Sequence, residues 1–279
     1  QSQRYKCIEQ GVITSTTNAG YMINEVLRLL ANRIHIENLP TAFVTLGGKS
    51  MQIAPVKARR DQLRKREVSA DLLESMKQEC KEKIESKYPQ VAVLELVPSY
   101  FVLDGQEQEE APTENQRAAL VEAHYFAFVG KKELESRLNT AFDQAGRSIE
   151  CTFVRPDVLL SVFQCEEAKE DEPYDILTDG CAVLDMGSQT TTLTVFKGGQ
   201  YLANKVIPRG GYHITRALEQ QGLSFSTAEK LKTLYGYAAP DLVEKNHSLQ
   251  VPAVDGEGEL KVLFTEVAEV IQQKLDEIL

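Results

Sequence analysis

Three observations predict an α/β fold for this chain. Segments with strand-like alternation and segments with helical spacing follow one another along most of its length. Residues 183–200, VLDMGSQTTTLTVFKGGQ, join two strand-like runs through an aspartate, a glycine and a row of hydroxyls. Residues 207–222, IPRGGYHITRALEQQG, lead a strand through a glycine pair into a helix.

Composition narrows the function classes. The 279 residues carry 31 Lys and Arg against 41 Asp and Glu, a net charge of -10. That balance argues against broad nucleic-acid binding through the phosphate backbone, so any anionic ligand must be held locally. The length allows two domains or one elaborate one. Five cysteines (Cys7, Cys80, Cys151, Cys165 and Cys181) show no CxxC spacing and follow no secretory apolar segment, so a reducing, cytosolic setting is expected. The longest apolar runs, such as LLSVF at 159–163, are too short to cross a bilayer, and no transmembrane helix is expected.

Taken in order, residues 11–36 open with Gly-Val-Ile and TSTTN and continue as an amphipathic helix with Met22, Val26, Leu29, Leu30 and Ile34 at helical spacing. TAFVTLGG at 41–48 reads as a buried strand, and KARRDQLRKRE at 57–67 as a basic, exposed segment. Leu72, Leu73, Met76 and Cys80 predict a helix between 68 and 87. VAVLELVPSYFV at 91–102 and LVEAHYFAFVG at 120–130 predict strands, with a polar loop, DGQEQEEAPTENQ, between them. A helix follows, with Leu134, Leu138 and Phe142 on one face and Gly146 suited to its end. IECTFVRP is a strand and DVLLSVF a short helix. The acidic stretch 165–175, CEEAKEDEPYD, marks the strongest internal boundary. Beyond it come the strands CAVLD, TLTVFK and YLANKVIP, a helix near 212–221, and a helix from Ser226 to Gly236. A last helix places Phe264, Val267, Ile271, Leu275 and Ile278 on one stripe.

The hydroxyl-rich turn carries the chemistry. Asp185 at a strand end can hold a hydrated magnesium ion, and Gly187 lets the following backbone approach a phosphate. Ser188, Thr190 and Thr191, with their backbone N–H groups, would supply neutral donors around the anion. A plain hairpin explains the same residues, since threonine suits strands and Gly-Ser-Gln suits turns. Gly210 and Gly211 place a positive helix end beneath any bound phosphate, or make only a tight turn. Ser226 and Glu229 form a capping-box pattern, yet Glu229 and Lys232 also share a helical face that could grip the hydroxyls and edge of a nucleoside.

These segments in this order, DMGSQTTTLTVFKGG, VIPRGGYHIT and STAEKLKTLYG, resemble the second half of the bacterial cell-division protein FtsA. Upstream stretches, among them QGVITSTTNAGYMINEVLRLLAN, LELVPSYFVLDGQ and VEAHYFAFVGKKELESRLNTAFDQAG, resemble FtsA segments in the same order. The resemblance implies an actin/Hsp70-like (ribonuclease H-like) fold. It places a first subdomain at 1–48 and 118–164, a small inserted two-layer α+β domain at 49–117, and a second subdomain at 176–279. It also implies ATP with Mg2+ as the ligand, Asp185, Gly187, Ser188, Gln189, Thr190 and Thr191 as a phosphate loop, Gly210 and Gly211 facing the nucleotide, and Glu229 and Lys232 on ribose and adenine. The implied role is a non-enzymatic, filament-forming cytoplasmic adaptor that links the FtsZ ring to the inner face of the membrane. FtsZ and other division proteins would be its partners, and membrane contact would be indirect.

Departures qualify that expectation. The family's N-terminal phosphate loop, adenine-side Gly-Gly loop and C-terminal membrane helix are not found here, Thr192 stands where an acid is frequent, and Ala217 where Asp is frequent. A fragment of a longer protein, or a relative that no longer binds ATP, is therefore expected. The type IV pilus protein PilM is a second adaptor with the same fold and a similar loop, and an ATPase or sugar kinase of the superfold is an enzymatic alternative. The histidines His35, His124, His213 and His247 have no metal-ligand spacing, and no GxSxG elbow supports a hydrolase. KARRDQLRKRE lacks the interleaved aromatics of a nucleic-acid site and reads as a solvated face.

Overall fold

A computed structural model describes residues 7–164, 176–198, 200–244, 246–254 and 258–278. The acidic stretch 165–175 and Cys165, both singled out above, lie outside these residues. The chain divides into two compact units, Gln1–Ala182 with Thr194–Asn204, and Val183–Leu193 with Lys205–Leu279.

In the first unit, β1 (Ile8–Glu9) and β2 (Val12–Ile13) form a small hairpin ahead of α1 (Thr16–Arg33). Ser15 caps that helix, its Oγ accepting from the Asn18 N–H at 3.4 Å. The stripe of Met22, Val26, Leu29, Leu30 and Ile34 is exposed, and the helix buries Ala19, Gly20 and Ala31 instead. The reason is close packing: a Cβ on Gly20 would lie 2.7 Å from the Ala141 carbonyl oxygen on the facing helix, where no large side chain has room.

β3 (Thr41–Leu46) leads into β4 (Met51–Glu67), α2 (Ala70–Lys87), β5 (Val91–Leu103), β6 (Gln106–Gln108) and β7 (Arg117–Lys131). The last four strands make an antiparallel sheet of order β4-β7-β5-β6 with α2 on one face. Met76 and Cys80 of α2 pack there with Ala58, Val121 and Ala123. Because β7 is central, this sheet takes in residues through Lys131, beyond position 117. The basic run 57–67 is strand β4, at the sheet edge, with Ala58 buried and Lys57 and Arg59 turned outward. The polar stretch after β5 contains β6, since Asp104 (φ 50°) and Gly105 (φ 88°) supply the two positive-φ positions of a tight hairpin.

α3 (Glu133–Gln144) buries Leu134, Leu138 and Phe142, the face that spacing predicts. β8 (Ser148–Val154) pairs in parallel with β3, and α4 (Arg155–Gln164) and α5 (Ile176–Asp179) follow. Next, β9 (Cys181–Met186), β10 (Thr191–Lys197) and β11 (Gln200–Ile207) form a sheet of order β11-β10-β9.

In the second unit, α6 (Gly211–Glu219), α7 (Phe225–Tyr235), β12 (Ser248–Pro252), β13 (Glu259–Leu263) and α8 (Phe264–Asp276) surround one core. Ile214, Leu218, Leu231, Val267 and Ile271 are its centre. The last helix buries its predicted stripe through Val267 and Ile271, and Ile278 just beyond it is also buried. Among the described residues no helix is long and apolar enough to cross a membrane.

Candidate functional site

The sequence 186–191 reverses direction in the shortest way. The Gly187 N–H donates to the Thr190 carbonyl at 2.9 Å, which leaves Ser188 and Gln189 at the tip of a hairpin between β9 and β10. Ser188 is exposed; Asp185, Gln189 and Thr190 are half-buried.

This turn caps α6. The Gly211 N–H donates to the Gly187 carbonyl at 3.0 Å and the Tyr212 N–H to the Ser188 carbonyl at 2.7 Å. Two of the N–H groups that a helix start leaves without intrahelical partners are thereby satisfied by a remote segment. Gly210 is required by space: a Cβ there would stand 2.3 Å from the Gly187 oxygen and 2.7 Å from the Ser188 oxygen. Its own N–H donates to Nδ1 of His213 at 3.1 Å, which fixes that ring nitrogen as the acceptor. Burial pushes the His213 pKa down, and the nearby Arg209 charge adds to the effect.

Thr191 closes the arrangement from the other side. It is fully buried, and its hydroxyl donates to the Arg209 carbonyl at 2.9 Å. Of the hydroxyls in the turn, this one is committed to holding β10 against the glycine segment, whereas those of Ser188 and Thr190 lie nearer the surface.

Glu229 and Lys232 stand on α7 and meet the same glycine segment. The helix begins earlier than spacing predicts: Ser224 is its cap, with Oγ accepting from the Thr227 N–H at 3.2 Å. The capping box of Ser226 with Glu229 is therefore not formed, and the Glu229 carboxylate takes the other role weighed for it. It accepts from Lys232 Nζ at 2.8 Å and from Thr215 Oγ1 at 2.5 Å. Burial acts to raise the Glu229 pKa, but the hydrogen bonds from Lys232 and Thr215 outweigh it and the net direction is down, so the carboxylate is ionised. Lys232 Nζ also donates to Thr215 Oγ1 at 3.0 Å and to the Gly211 carbonyl at 3.2 Å, using all three of its hydrogens.

The structure thus brings Gly187, Ser188, Thr191, Gly210, Gly211, Glu229 and Lys232 into one bonded cluster, with Asp185 on the strand that feeds it. Sequence reading missed Thr215, a fully buried hydroxyl that bridges α6 and α7. Its signal was available: it lies four residues after Gly211, on the helix face where its hydroxyl also reaches the Gly211 carbonyl at 3.1 Å. Arg209 and His213, which fix the entry to α6, were missed as well. Chemically, the cluster combines an ionised carboxylate, an ammonium and the exposed hydroxyl of Ser188 around small residues, a set suited to a polar ligand with hydroxyl and phosphate groups.

Comparison with known proteins shows what the chain as a whole is similar to. Residues 182–268 match the family model for cell division protein FtsA. The FtsA of Porphyromonas gingivalis is 24% identical over 282 aligned positions, covering 98% of this chain and 54% of that protein. The FtsA of Enterococcus hirae is 24% identical over 275 positions, covering 98% and 56%. The FtsA of Escherichia coli K12 is 26% identical over 193 positions, covering 67% and 43%. The chain spans about half the length of the curated relatives it matches. Among solved structures, the PilM-PilN type IV pilus biogenesis complex superposes with a TM-score of 0.64 at 15% identity, covering all of this chain and 65% of that one. The chain is similar to FtsA along nearly its whole length, and its fold is the actin-like α/β fold.

Proposed function

We propose that this chain is part of an FtsA-like cell-division protein and holds one side of a nucleotide site. The observation that carries the reading is the seating of the 187–191 turn on the Gly210 segment, with Glu229, Lys232 and Thr215 bonded beside it. The residues present fit ATP with Mg2+. The site is lined by glycines whose missing Cβ atoms keep the two loops in contact, and one carboxylate suits an ion that keeps most of its waters and otherwise leans on phosphate oxygens. Asp185 would hold that ion through water. Ser188, Gln189 and Thr190 would face the phosphates, with Thr191 fixing their loop. Gly210 and Gly211 would leave the nucleotide room, and Glu229 and Lys232 would take the ribose hydroxyls and adenine edge, Lys232 by exchanging one of its bonds within the protein for one to the ligand.

Bound ATP would supply a polyanion whose charge the magnesium ion partly neutralises. The protein's own residues bind and orient it: Thr191 and the glycine pair hold the loop rigid, and Thr215 holds the Glu229 carboxylate and the Lys232 ammonium in register. In this reading the nucleotide is a structural ligand of an adaptor. The adaptor would self-associate, engage FtsZ and other division proteins, work at the cytoplasmic side of the membrane, and contact the lipid indirectly.

The test is titration of the 279-residue chain with a fluorescent ATP analogue and magnesium. Saturable one-site binding that is lost in Ser188→Glu, where a carboxylate on the exposed tip repels phosphate, supports the reading. Binding unchanged by that substitution would overturn the assigned site. A second reading, a PilM-like pilus adaptor, draws on the superposition of the whole of this chain on 65% of a chain of the PilM-PilN complex. Co-sedimentation with FtsZ polymers separates the two, since only the division adaptor is expected to pellet with them.

A further inference from the structure

A second surface lies in the first unit, on the four-stranded sheet. β4 is its edge strand. Lys83 on α2 donates Nζ to the Lys57 carbonyl at 3.1 Å, so that carbonyl points away from β7 toward the open edge. Backbone polar groups alternate along a strand, which turns those of Arg59 and Asp61 to the same edge. Pro55 shares this register, and an open edge tolerates its missing N–H.

The sheet face opposite α2 is chemically mixed at this edge. Tyr100 stacks on His124 with ring centroids 4.0 Å apart, and both line a cavity of about 240 Å³ with Pro55, Lys57 and Phe126. Beside it, the single carboxylate of Glu122 meets two cations, Lys57 at 3.2 Å and Arg59 at 3.4 Å. Further along β4, Arg60 pairs with Glu79 at 2.5 Å and Lys65 with Asp104 at 3.1 Å, while Arg64 and Arg66 stand in no ion pair among the described residues. In a chain of net charge -10, residues 57–67 of this strand carry six Lys and Arg against Asp61 and Glu67.

From the open edge, the aromatic cavity and the surplus of positive charge, we infer that β4 docks an extended acidic peptide segment of a partner protein. The peptide adds a fifth strand through the Arg59 and Asp61 backbone groups, sets carboxylates against Lys57 and Arg59, and places one aromatic side chain in the cavity beside Tyr100 and His124. An anionic lipid surface or nucleic acid would use the charge but not the backbone edge. This surface does not depend on the nucleotide reading: failure of ATP binding leaves it standing.

The experiment is selection of random decapeptides on the immobilised 279-residue chain, followed by affinity measurement and amide chemical shifts. Selected peptides are expected to carry two or more Asp or Glu with one aromatic residue, and to shift the amides of Lys57, Arg59 and His124. Affinity should drop about tenfold in Arg59→Glu and on placing a proline at the centre of the peptide. Tyr100→Ala, which leaves the edge and its charges in place, should abolish the preference for an aromatic residue. Peptides without acidic bias, binding indifferent to both variants, or equal Arg59-dependent binding to phosphatidylglycerol vesicles or single-stranded DNA would overturn the inference.

Discussion

The Gly211 N–H donates to the Gly187 carbonyl at 3.0 Å, so a hairpin tip serves as the cap of a helix far along the chain. The bond exists only because Gly210, beside it, presents no side chain to the same carbonyl. The four expectations that follow rest on contacts of this kind.

Gly210 and Gly211 should respond differently to alanine. At Gly210 the new Cβ meets two backbone oxygens at 2.3 and 2.7 Å, which cannot move without breaking the turn. Gly210→Ala is expected to cost about 1–3 kcal/mol. At Gly211 the nearest atom is the flexible end of Lys232 at 3.4 Å, so Gly211→Ala should stay within about 0.5 kcal/mol of the parent. Urea unfolding of the two variants measures the contrast, and equal costs would contradict the geometry.

Thr215→Val keeps the shape and removes the hydroxyl that both Glu229 and Lys232 use. Leaving partly buried charged groups short of a partner should cost about 1–2 kcal/mol. The same change in a Glu229→Gln, Lys232→Met background should cost clearly less, which a double-mutant cycle reads directly.

Stability should fall on acidification through His213. Its folded pKa lies below the ordinary 6.5, so between those values the unfolded chain binds more protons and stability rises with pH. The contribution is present above the unfolded value and is lost as pH falls toward the folded one, where protonated Nδ1 no longer accepts from the Gly210 N–H. Thermal midpoints at pH 7.5 and 5.5 should show a drop that is smaller in His213→Asn.

On α1 the large residues should tolerate change and the small ones should not. Leu29→Lys and Val26→Lys alter exposed positions and are expected to move stability by less than about 0.5 kcal/mol. Gly20→Leu drives a side chain into the Ala141 carbonyl and Gln144, and should cost about 3 kcal/mol or more, seen as a lowered thermal midpoint.

Much of the fold was legible because it is written in short-range pattern. The stripe of the last helix, the face of α3 and the strands around Asp185 follow from spacing, and each is where the pattern places it. The first helix shows the limit of pattern: its apolar stripe is real, yet Gly20 and Ala19 take the packed side, because the closeness of a neighbouring helix is invisible in a single segment. In the candidate site the turn and the glycine pair were legible as separate pieces. The competition for the Glu229 carboxylate was not decidable from spacing, since Ser224 and Ser226 are both acceptable caps.

The sequence by itself determined the α/β order of elements and the polar character of the turn at 187–191, because propensity, periodicity and turn chemistry act over a few residues; the likeness to FtsA rests separately on its ordered motifs. Only the tertiary structure decided that this turn caps α6, that Thr191 is a buried lock, and that Thr215 binds Glu229 and Lys232 into one cluster. Those facts depend on which backbone groups and hydroxyls from distant segments come within hydrogen-bonding distance, and that is fixed by packing in three dimensions, where every buried polar group must find a partner.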